Sequence, residues 1–211
     1  MNFGASEMYH RLLTCSVLLI STIVASGAES ASSQDNSTQN EWTVEQVVAS
    51  LKEAHLSSVS FVETTYSSLL TEPLTARGVL RFSPPSTLEK EVLAPYRERY
   101  LIEGDRITFE SERKHLKKTI SLEDYPALRS FVDAFRASLT GDAVRLKQTY
   151  DTRVDGDRRK WWLSLRPHES AGQAMVDQIL LSGSEGRILT ITVRSSDGDR
   201  SVMTLSRGSL P

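Results

Sequence analysis

Apolar and polar residues alternate through most of the chain from residue 59 onward. This period of two is typical of strands with one buried face. In the segment 77–110, "RGVLRFSPPSTLEKEVLAPYRERYLIEGDRITFE", the alternation stops only at prolines and at Gly104-Asp105. Proline cannot donate to a strand ladder, and Gly-Asp is a common turn pair. The pattern predicts antiparallel strands at residues 59–70, 74–82, 87–94, 99–103, 106–110 and 115–120.

The C-terminal part of the chain continues this pattern as a meander. Strands at short, regular intervals, joined by turns rich in glycine and aspartate, indicate an antiparallel barrel or curled sheet. Trp161 and Trp162 are neighbours on one strand and must face opposite sides, so we expect one of them on a rim or under a loop. The predicted strands are 149–154, 158–167, 174–183, 186–194 and 200–207.

Two segments have a helical period instead. In segment 43–56, Thr43 and Gln46 form a capping-box pattern. Segment 121–142 has a capping serine, a proline in its first turn and Gly141 at its end. The apolar stripe of the first helix is Val44, Val47, Val48 and Leu51, and that of the second is Tyr125, Leu128, Phe131, Val132, Phe135 and Leu139.

A short helical turn is predicted at 143–150, before the chain returns to strand. The apolar face of a sheet must be covered. We therefore expect two or three amphipathic helices to form a lid over a sheet too curved to be filled by its own side chains.

The N-terminal residues form a secretory signal pattern. An apolar run without charge, "LLTCSVLLISTIVA", follows His10 and Arg11, and Ser26-Gly27-Ala28 offers small residues at a cleavage site. We predict a signal peptide at 1–28 and, because 29–41 is polar, a disordered leader there. An N-terminal membrane anchor is the alternative, although the run is shorter than the ~20 residues that a span needs.

The charge and cysteine content of the chain argue against a nucleic-acid partner and against sites built from thiols. The 211 residues suit one domain, here 42–211, and a net charge of −2 with scattered basic residues argues against a nucleic-acid partner. Cys15 is the only cysteine, and signal cleavage would remove it. The mature protein would then have no disulfide, zinc–thiolate site or cysteine nucleophile.

No catalytic constellation stands out. The histidines lack metal-ligand spacing, and we predict no metal, cofactor or catalytic residue. Ser111 and Lys114 have the Ser-x-x-Lys spacing of an acyl-enzyme nucleophile, but they lie in the charged stretch "ESERKH", which favours a solvated loop. Glu89 and Glu91 share one face of an alternating strand. This pattern favours a solvent-facing side of the strand over a pair of glycosidase carboxylates.

Three stretches resemble the LolA family, the periplasmic carriers of outer-membrane lipoproteins. They are "SFVET", "ARGVLRFSPPSTLEKEVLAPYRERYLIEGDRITFE" and "GRILTITVRSSDGDRSVMTLS". The order of elements carries the likeness, which spans most of the mature chain. With "LEK", "DYP" and "GDRSVMT", the chain is similar to a LolA-related branch rather than to the typical carriers.

The resemblance implies a mainly β (α+β) fold, an open and incomplete antiparallel β-barrel whose helices cover its concave apolar face. Acyl chains would lie between the helices and the sheet. This arrangement suits a carrier, because each methylene kept from water is worth ~0.8 kcal/mol. The residues implied for this cavity are Val47, Leu51, Phe61, Leu80, Phe82, Leu88, Val92, Ile102, Phe109, Tyr125, Leu128, Phe131, Val132, Phe135, Leu163 and Leu165.

The function implied is a monomeric periplasmic carrier, not an enzyme. It would shield acyl chains of lipoproteins or related lipids for transfer toward the outer membrane. Its partners would be the acylated cargo, an inner-membrane exporter and an outer-membrane acceptor. A lipid-sensing or interaction module on the same fold is the main alternative, and an enzyme of acyl or polyketide metabolism is a weaker one.

The chain departs from the family at two points. Typical members carry an arginine just before the proline of a turn, where it ties the lid to the barrel; Pro84 stands there in this sequence. The usual C-terminal extension is also missing after "SRGSLP". These departures predict a lid held mainly by apolar contact with residues such as Leu80, Phe82 and Leu88. Such a lid would open readily, and its cavity would suit a lipid or acylated product at least as well as a lipoprotein.

Overall fold

The computed structural model describes residues 42–54, 57–168 and 176–207. The signal peptide predicted at 1–28 and the leader predicted at 29–41 lie outside the described residues. No helix in the described ranges is both long enough and apolar enough to span a bilayer.

One antiparallel sheet of 11 strands forms most of the molecule, in the order β6-β5-β4-β3-β2-β1-β11-β10-β9-β8-β7. The edge strands β6 and β7 do not pair, so the sheet is an open barrel, as predicted. The strands are β1 Ser58–Tyr66, β2 Leu74–Ser83, β3 Thr87–Ala94, β4 Glu98–Glu103, β5 Arg106–Ser111, β6 Leu116–Ser121, β7 Tyr150–Gly156, β8 Trp161–Pro167, β9 Val176–Ser184, β10 Arg187–Ser195 and β11 Arg200–Ser206.

Among the described residues, three α-helices accompany the sheet: α1 Val44–Glu53, α2 Pro126–Thr140 and α3 Ala143–Thr149. The predicted capping box of α1 is confirmed. The Gln46 backbone N–H donates to Thr43 Oγ1 at 3.3 Å, and the Thr43 N–H donates to Gln46 Oε1 at 2.9 Å. These bonds satisfy two of the N–H groups that lack partners in a first helical turn.

The predicted helix at 121–142 is divided in two. Ser121 caps a short 3-10 turn, Leu122–Asp124, and α2 begins only at Pro126. Proline fits the first position of a helix, where its missing N–H costs nothing. The helix ends as predicted at Gly141, whose φ of 81° lies in the left-handed region that glycine tolerates.

The two tryptophans of β8 face opposite sides, as the alternation predicts. Trp161 is fully buried against Gly183, where a Cβ atom would lie 2.3 Å from the indole ring. Trp162 is only partly buried, and the Lys160 ammonium lies 5.0 Å from its ring centroid. Glycine at 183 is therefore a packing requirement of the concave face.

The opposite face of β2 to β6 carries a ladder of ion pairs. Arg81 contacts Glu89 at 3.3 Å and Glu91 at 2.9 Å, and Arg99 contacts Glu89 at 2.6 Å. The ladder continues from Arg99 through Glu110 to Lys117. Both Glu89 and Glu91 are thus engaged with arginines on this polar face. Pairs this exposed contribute little individually, although a network contributes more.

Asp199 lies in the turn before β11 and is only 1% exposed. Its Oδ1 accepts no hydrogen bond from any described residue. Burial, with a smaller contribution from the charge of Asp197, raises the pKa of the Asp199 carboxyl to about 6. The folded state therefore binds this proton more tightly than the unfolded chain, where the pKa is ~3.9.

Replacement of Asp199 by asparagine should stabilise the protein at neutral pH. The stabilising contribution of the carboxyl is present below pH ~3.9 and is lost as the pH rises through the folded value. We expect Asp199→Asn to raise the free energy of unfolding by ~1–3 kcal/mol at pH 8. Denaturant melts from pH 4 to 8 measure this, and an equal difference between variant and wild type across the range would contradict it.

Candidate functional site

Helix α2 lies across the concave face and encloses an apolar cavity of about 110 Å³, the lid cavity. Four residues of α2, at helical spacing, form its roof. Strands β1 to β4, β10 and β11 form its floor and walls. The lining residues on the concave face are Glu63, Leu80, Phe82, Leu88, Lys90, Tyr100, Ile102, Phe131, Val132, Phe135, Leu139, Ile188, Ile191, Val193, Ser201, Met203 and Leu205.

The sequence-predicted site residues fall into three groups. Leu80, Phe82, Leu88, Ile102, Phe131, Val132 and Phe135 line the lid cavity. Val92 lines a second cavity, and Leu165 meets Phe131 and Phe135 where α2 packs on β8 and β9. Val47, Leu51, Phe61, Phe109, Leu128 and Leu163 are buried core residues outside these linings, although Phe61 and Phe109 contact the lining residues Lys90 and Tyr100, and Tyr125 is partly buried beside that core.

The register of the sheet explains how polarity changes along the concave face. Phe82, Leu88, Ile102 and Ile107 are consecutive cross-strand partners and form an apolar row. The next inward row contains Leu80, Lys90, Tyr100 and Phe109, and the third contains Gly78, Val92, Glu98 and Ser111. The wall therefore becomes progressively more polar away from the first row.

A buried ion pair marks this change and was missed from the sequence. Lys90 Nζ lies 2.5 Å from Glu63 Oε2, and Ser201 Oγ donates to Glu63 Oε1 at 2.6 Å. The Lys90 ammonium also lies 5.3 Å from the Phe61 ring centroid. The inward position of Lys90 was predictable from the sequence, because alternation places it on the same face as Leu88 and Val92. Nothing in the sequence paired it with Glu63.

The ionised form of Glu63 depends on Lys90. Burial alone would raise the pKa of the Glu63 carboxyl. The positive charge and hydrogen bond of Lys90, with the bond from Ser201, more than offset burial, so the pKa lies below its usual value. Glu63 is therefore ionised at neutral pH although it lies in an apolar wall.

A second cavity of about 190 Å³, the polar cavity, adjoins the first. Glu63, Lys90 and Tyr100 line both cavities and form their common wall. The remaining lining is Thr65, Leu74, Ala76, Val92, Pro95, Tyr96, Glu98, Ser111, Arg113 and Lys114.

The predicted solvated loop is present at residues 112–115, a mostly exposed turn, but the prediction is wrong for Ser111. It is the last residue of β5, pairs with Glu98 and is only 3% exposed. Its Oγ makes no hydrogen bond with any described residue. Alternation along β5 places Ser111 on the same inward face as Ile107 and Phe109, which accounts for its burial.

Directional contacts also hold α2 on the strands, in addition to the predicted apolar contact with Leu80, Phe82 and Leu88. Arg136 Nε donates to the Ser86 carbonyl at 2.9 Å, and its Nη2 donates to the Gly104 carbonyl at 2.8 Å. Arg129 adds an ion pair with Asp105 at 3.3 Å. An arginine on the helix thus ties the helix to two turns between strands. In typical members of the family, the arginine that ties the lid lies instead in a strand turn, where this chain has Pro84.

Loss of the Arg136 contacts should loosen α2. We expect Arg136→Met to lower the free energy of unfolding by ~1.5–3 kcal/mol, the typical value of a hydrogen bond to a charged group. Amide hydrogen exchange in 126–140 should also become faster than in the wild type. Arg145→Met is the matched control, because Arg145 is 54% exposed and makes only an ion pair with Asp133 among the contacts found in the described ranges. Equal exchange in both variants would contradict the assignment.

No group of three or more metal-ligating side chains occurs within the described residues.

The sequence from residue 36 to 209 matches the family model for outer membrane lipoprotein carrier proteins of the LolA-like type. The chain belongs to the LolA-like family. The match covers the entire sheet and all three helices. Among curated proteins, none matches the sequence of this LolA-like chain.

Solved structures show distant likenesses to the LolA-like chain. The LolA superfamily protein NE2245 of Nitrosomonas europaea is 12% identical, with 81% of this chain and 96% of that one covered and a TM-score of 0.43. LprF of Mycobacterium bovis is 13% identical, with coverages of 80% and 93% and a TM-score of 0.35. A chain of the Pseudomonas aeruginosa MucA/MucB complex is 14% identical, with coverages of 80% and 58% and a TM-score of 0.38.

Proposed function

We propose that this LolA-like protein is a periplasmic carrier that shields the acyl chains of lipoproteins or related lipids for transfer toward the outer membrane. The observation that carries the proposal is the apolar lid cavity between α2 and the sheet. Its roof is formed by Phe131, Val132, Phe135 and Leu139, and most of its floor is aliphatic. Such a surface binds hydrocarbon without requiring a specific polar partner.

The cavity must enlarge when cargo binds. At about 110 Å³ it is smaller than the ~300–1,000 Å³ typical of small-molecule sites. Displacement of α2 is the simplest enlargement, because α2 supplies the roof while the strands are fixed by their ladders. The Arg136 bonds to Ser86 and Gly104 would break in this motion and reform on release.

The partners proposed are an inner-membrane exporter, which would load the acylated cargo, and an outer-membrane acceptor. We propose that the protein acts as a monomer and performs no catalysis. Residues 42–211 would form one carrier domain after removal of the signal peptide.

Binding of acyl probes of increasing chain length tests this function. Each added methylene that enters the cavity should contribute ~0.8 kcal/mol, about a fourfold gain in affinity, until the cavity is full. Fluorescence titration of the purified mature protein measures the series. Affinity that does not change with chain length, or no binding by folded protein at micromolar concentrations, would contradict the proposal.

Replacement of a cell's dedicated lipoprotein carrier distinguishes the two cargo classes. If lipoproteins are the cargo, expression of this protein in a depletion strain should restore growth and outer-membrane delivery. If other acyl lipids are the cargo, growth should fail although the purified protein contains bound lipid. Failure of growth together with an empty, folded protein would contradict both.

A further inference from the structure

We propose that the polar cavity binds the anionic headgroup of an acyl amphiphile whose hydrocarbon chain occupies the lid cavity. The inference rests on the proposed carrier function and extends it to the class of cargo. Three independent features of the polar cavity carry it: its position, its charge and an unsatisfied hydroxyl.

The position of the polar cavity suits the polar end of a bound amphiphile. It shares the wall formed by Glu63, Lys90 and Tyr100 with the lid cavity. The inward rows of the sheet change from purely apolar beneath α2 to a row that contains Glu98 and Ser111. A molecule with an apolar chain and a polar head would match this gradient in only one orientation.

The charge of the polar cavity favours an anion. Three basic side chains line it, from Lys90, Arg113 and Lys114, against two carboxylates, from Glu63 and Glu98. Both carboxylates already have donors. Glu63 is bonded by Lys90 and Ser201, and Glu98 Oε2 accepts from the Tyr100 hydroxyl at 3.1 Å. Lys90 and Glu63 form an ion pair, so Arg113 and Lys114 against Glu98 leave one excess positive charge in the lining.

Arg113 is placed to meet an oxyanion. Its guanidinium carbon lies 4.0 Å from the ring centroid of Tyr96, which is itself half-exposed beside the cavity. Contact with an aromatic ring uses the face of a guanidinium and leaves its edge N–H groups available. In the described part of the chain, Arg113 makes no ion pair with a carboxylate, whereas Arg81 and Arg99 of the ladder each make two.

Ser111 supplies the third feature. Its buried hydroxyl lacks a hydrogen-bond partner in the described protein, and Ser111 lies in the lining of the polar cavity. An unsatisfied buried polar group costs stability and is uncommon in native proteins. An oxygen of a bound headgroup would give this hydroxyl an acceptor.

Competition binding with two mono-acyl amphiphiles of identical chain tests the proposal. Lysophosphatidylglycerol carries one negative charge on its headgroup, and monoacylglycerol carries none. We expect the wild-type protein to bind the anionic compound about tenfold more tightly, the effect of roughly one charge-assisted hydrogen bond. The preference should shrink as salt is raised, because the rim is exposed to solvent.

The double variant Arg113→Gln/Lys114→Gln should abolish this preference without changing the affinity for monoacylglycerol. Arg158→Gln/Arg159→Gln, in the turn between β7 and β8, is the matched control. It removes the same net charge far from the cavity and should retain the preference. Equal binding of both amphiphiles by the wild type, or an unchanged preference in the first double variant, would overturn the headgroup site. If neither amphiphile binds, the carrier function is overturned as well.

Discussion

Replacement of Lys90 by methionine should lower the free energy of unfolding by ~3–5 kcal/mol, because it leaves the Glu63 carboxylate buried without its counter-charge. Glu63 is held between the Lys90 ammonium at 2.5 Å and the Ser201 hydroxyl at 2.6 Å. The side chains of Glu63 and Lys90 are only 14% and 17% exposed, so solvent replaces the lost partner only in part. Chemical denaturation at pH 7 measures the loss.

The double variant Glu63→Leu/Lys90→Met is the control for this result. Apolar replacement of a whole buried pair is often neutral or stabilising, so most of the lost stability should return. A double variant as unstable as Lys90→Met would show that packing, not charge, explains the single change.

The contribution of Glu63 to stability should also depend on pH. The pKa of its carboxyl is lower in the folded state than usual, so its contribution is present above the unfolded value of ~4.3 and is lost as the pH falls further. The difference between wild type and Lys90→Met should therefore shrink in acid. A difference that stays constant from pH 7 to pH 3 would contradict this ionisation.

Replacement of Phe131 by glutamate should weaken binding of a fluorescent acyl probe at least about tenfold, or ~1.4 kcal/mol. Phe131 lies in the roof of the lid cavity and also where α2 packs on β8 and β9. A carboxylate at this position would be desolvated by any hydrocarbon that enters. Because Phe131 is only partly buried, the empty protein should still fold and melt cooperatively.

Val144→Glu on α3 is the matched control, since it places the same charge on an apolar residue that is 68% exposed. It should leave probe affinity and melting unchanged. If the folded Phe131→Glu variant binds the probe with normal affinity, the assignment of Phe131 to the binding cavity is wrong. Outright unfolding would instead show that Phe131 is structural core, since the loss of a buried aromatic costs ~3–5 kcal/mol.

Local signals explain why so much of the fold was predictable. The Thr43–Gln46 capping box, the glycine at 141 and the turn at Gly104-Asp105 each act over a few residues, and each occurs where the sequence placed it. Period-two alternation then assigned most inward positions of the hairpins. The division of segment 121–142 was missed because Ser121 looks like the N-cap of one continuous helix, although Pro126 would then lie beyond the first turn, which tolerates proline.

Non-local pairing explains what was not predictable. The candidate site depends on β1 lying between β2 and β11, which places Ser201 beside Glu63 across 138 residues of sequence. The same pairing brings Met203 and Leu205 into the lid cavity. Similarly, the Arg136 tie joins a helix to turns 32 and 50 residues away. Alternation shows which side of a strand a residue faces but does not identify its partner on another element.

Mass spectrometry of the mature protein purified from the periplasm under native conditions tests the central claim most directly, because a carrier should retain acyl cargo between its sheet and α2. We expect an added mass of acyl lipid on the intact protein, recovered by organic extraction and reduced in Phe131→Glu but not in Val144→Glu. A folded protein at the mass of its bare chain, which also fails to take up an added acyl probe, would contradict it.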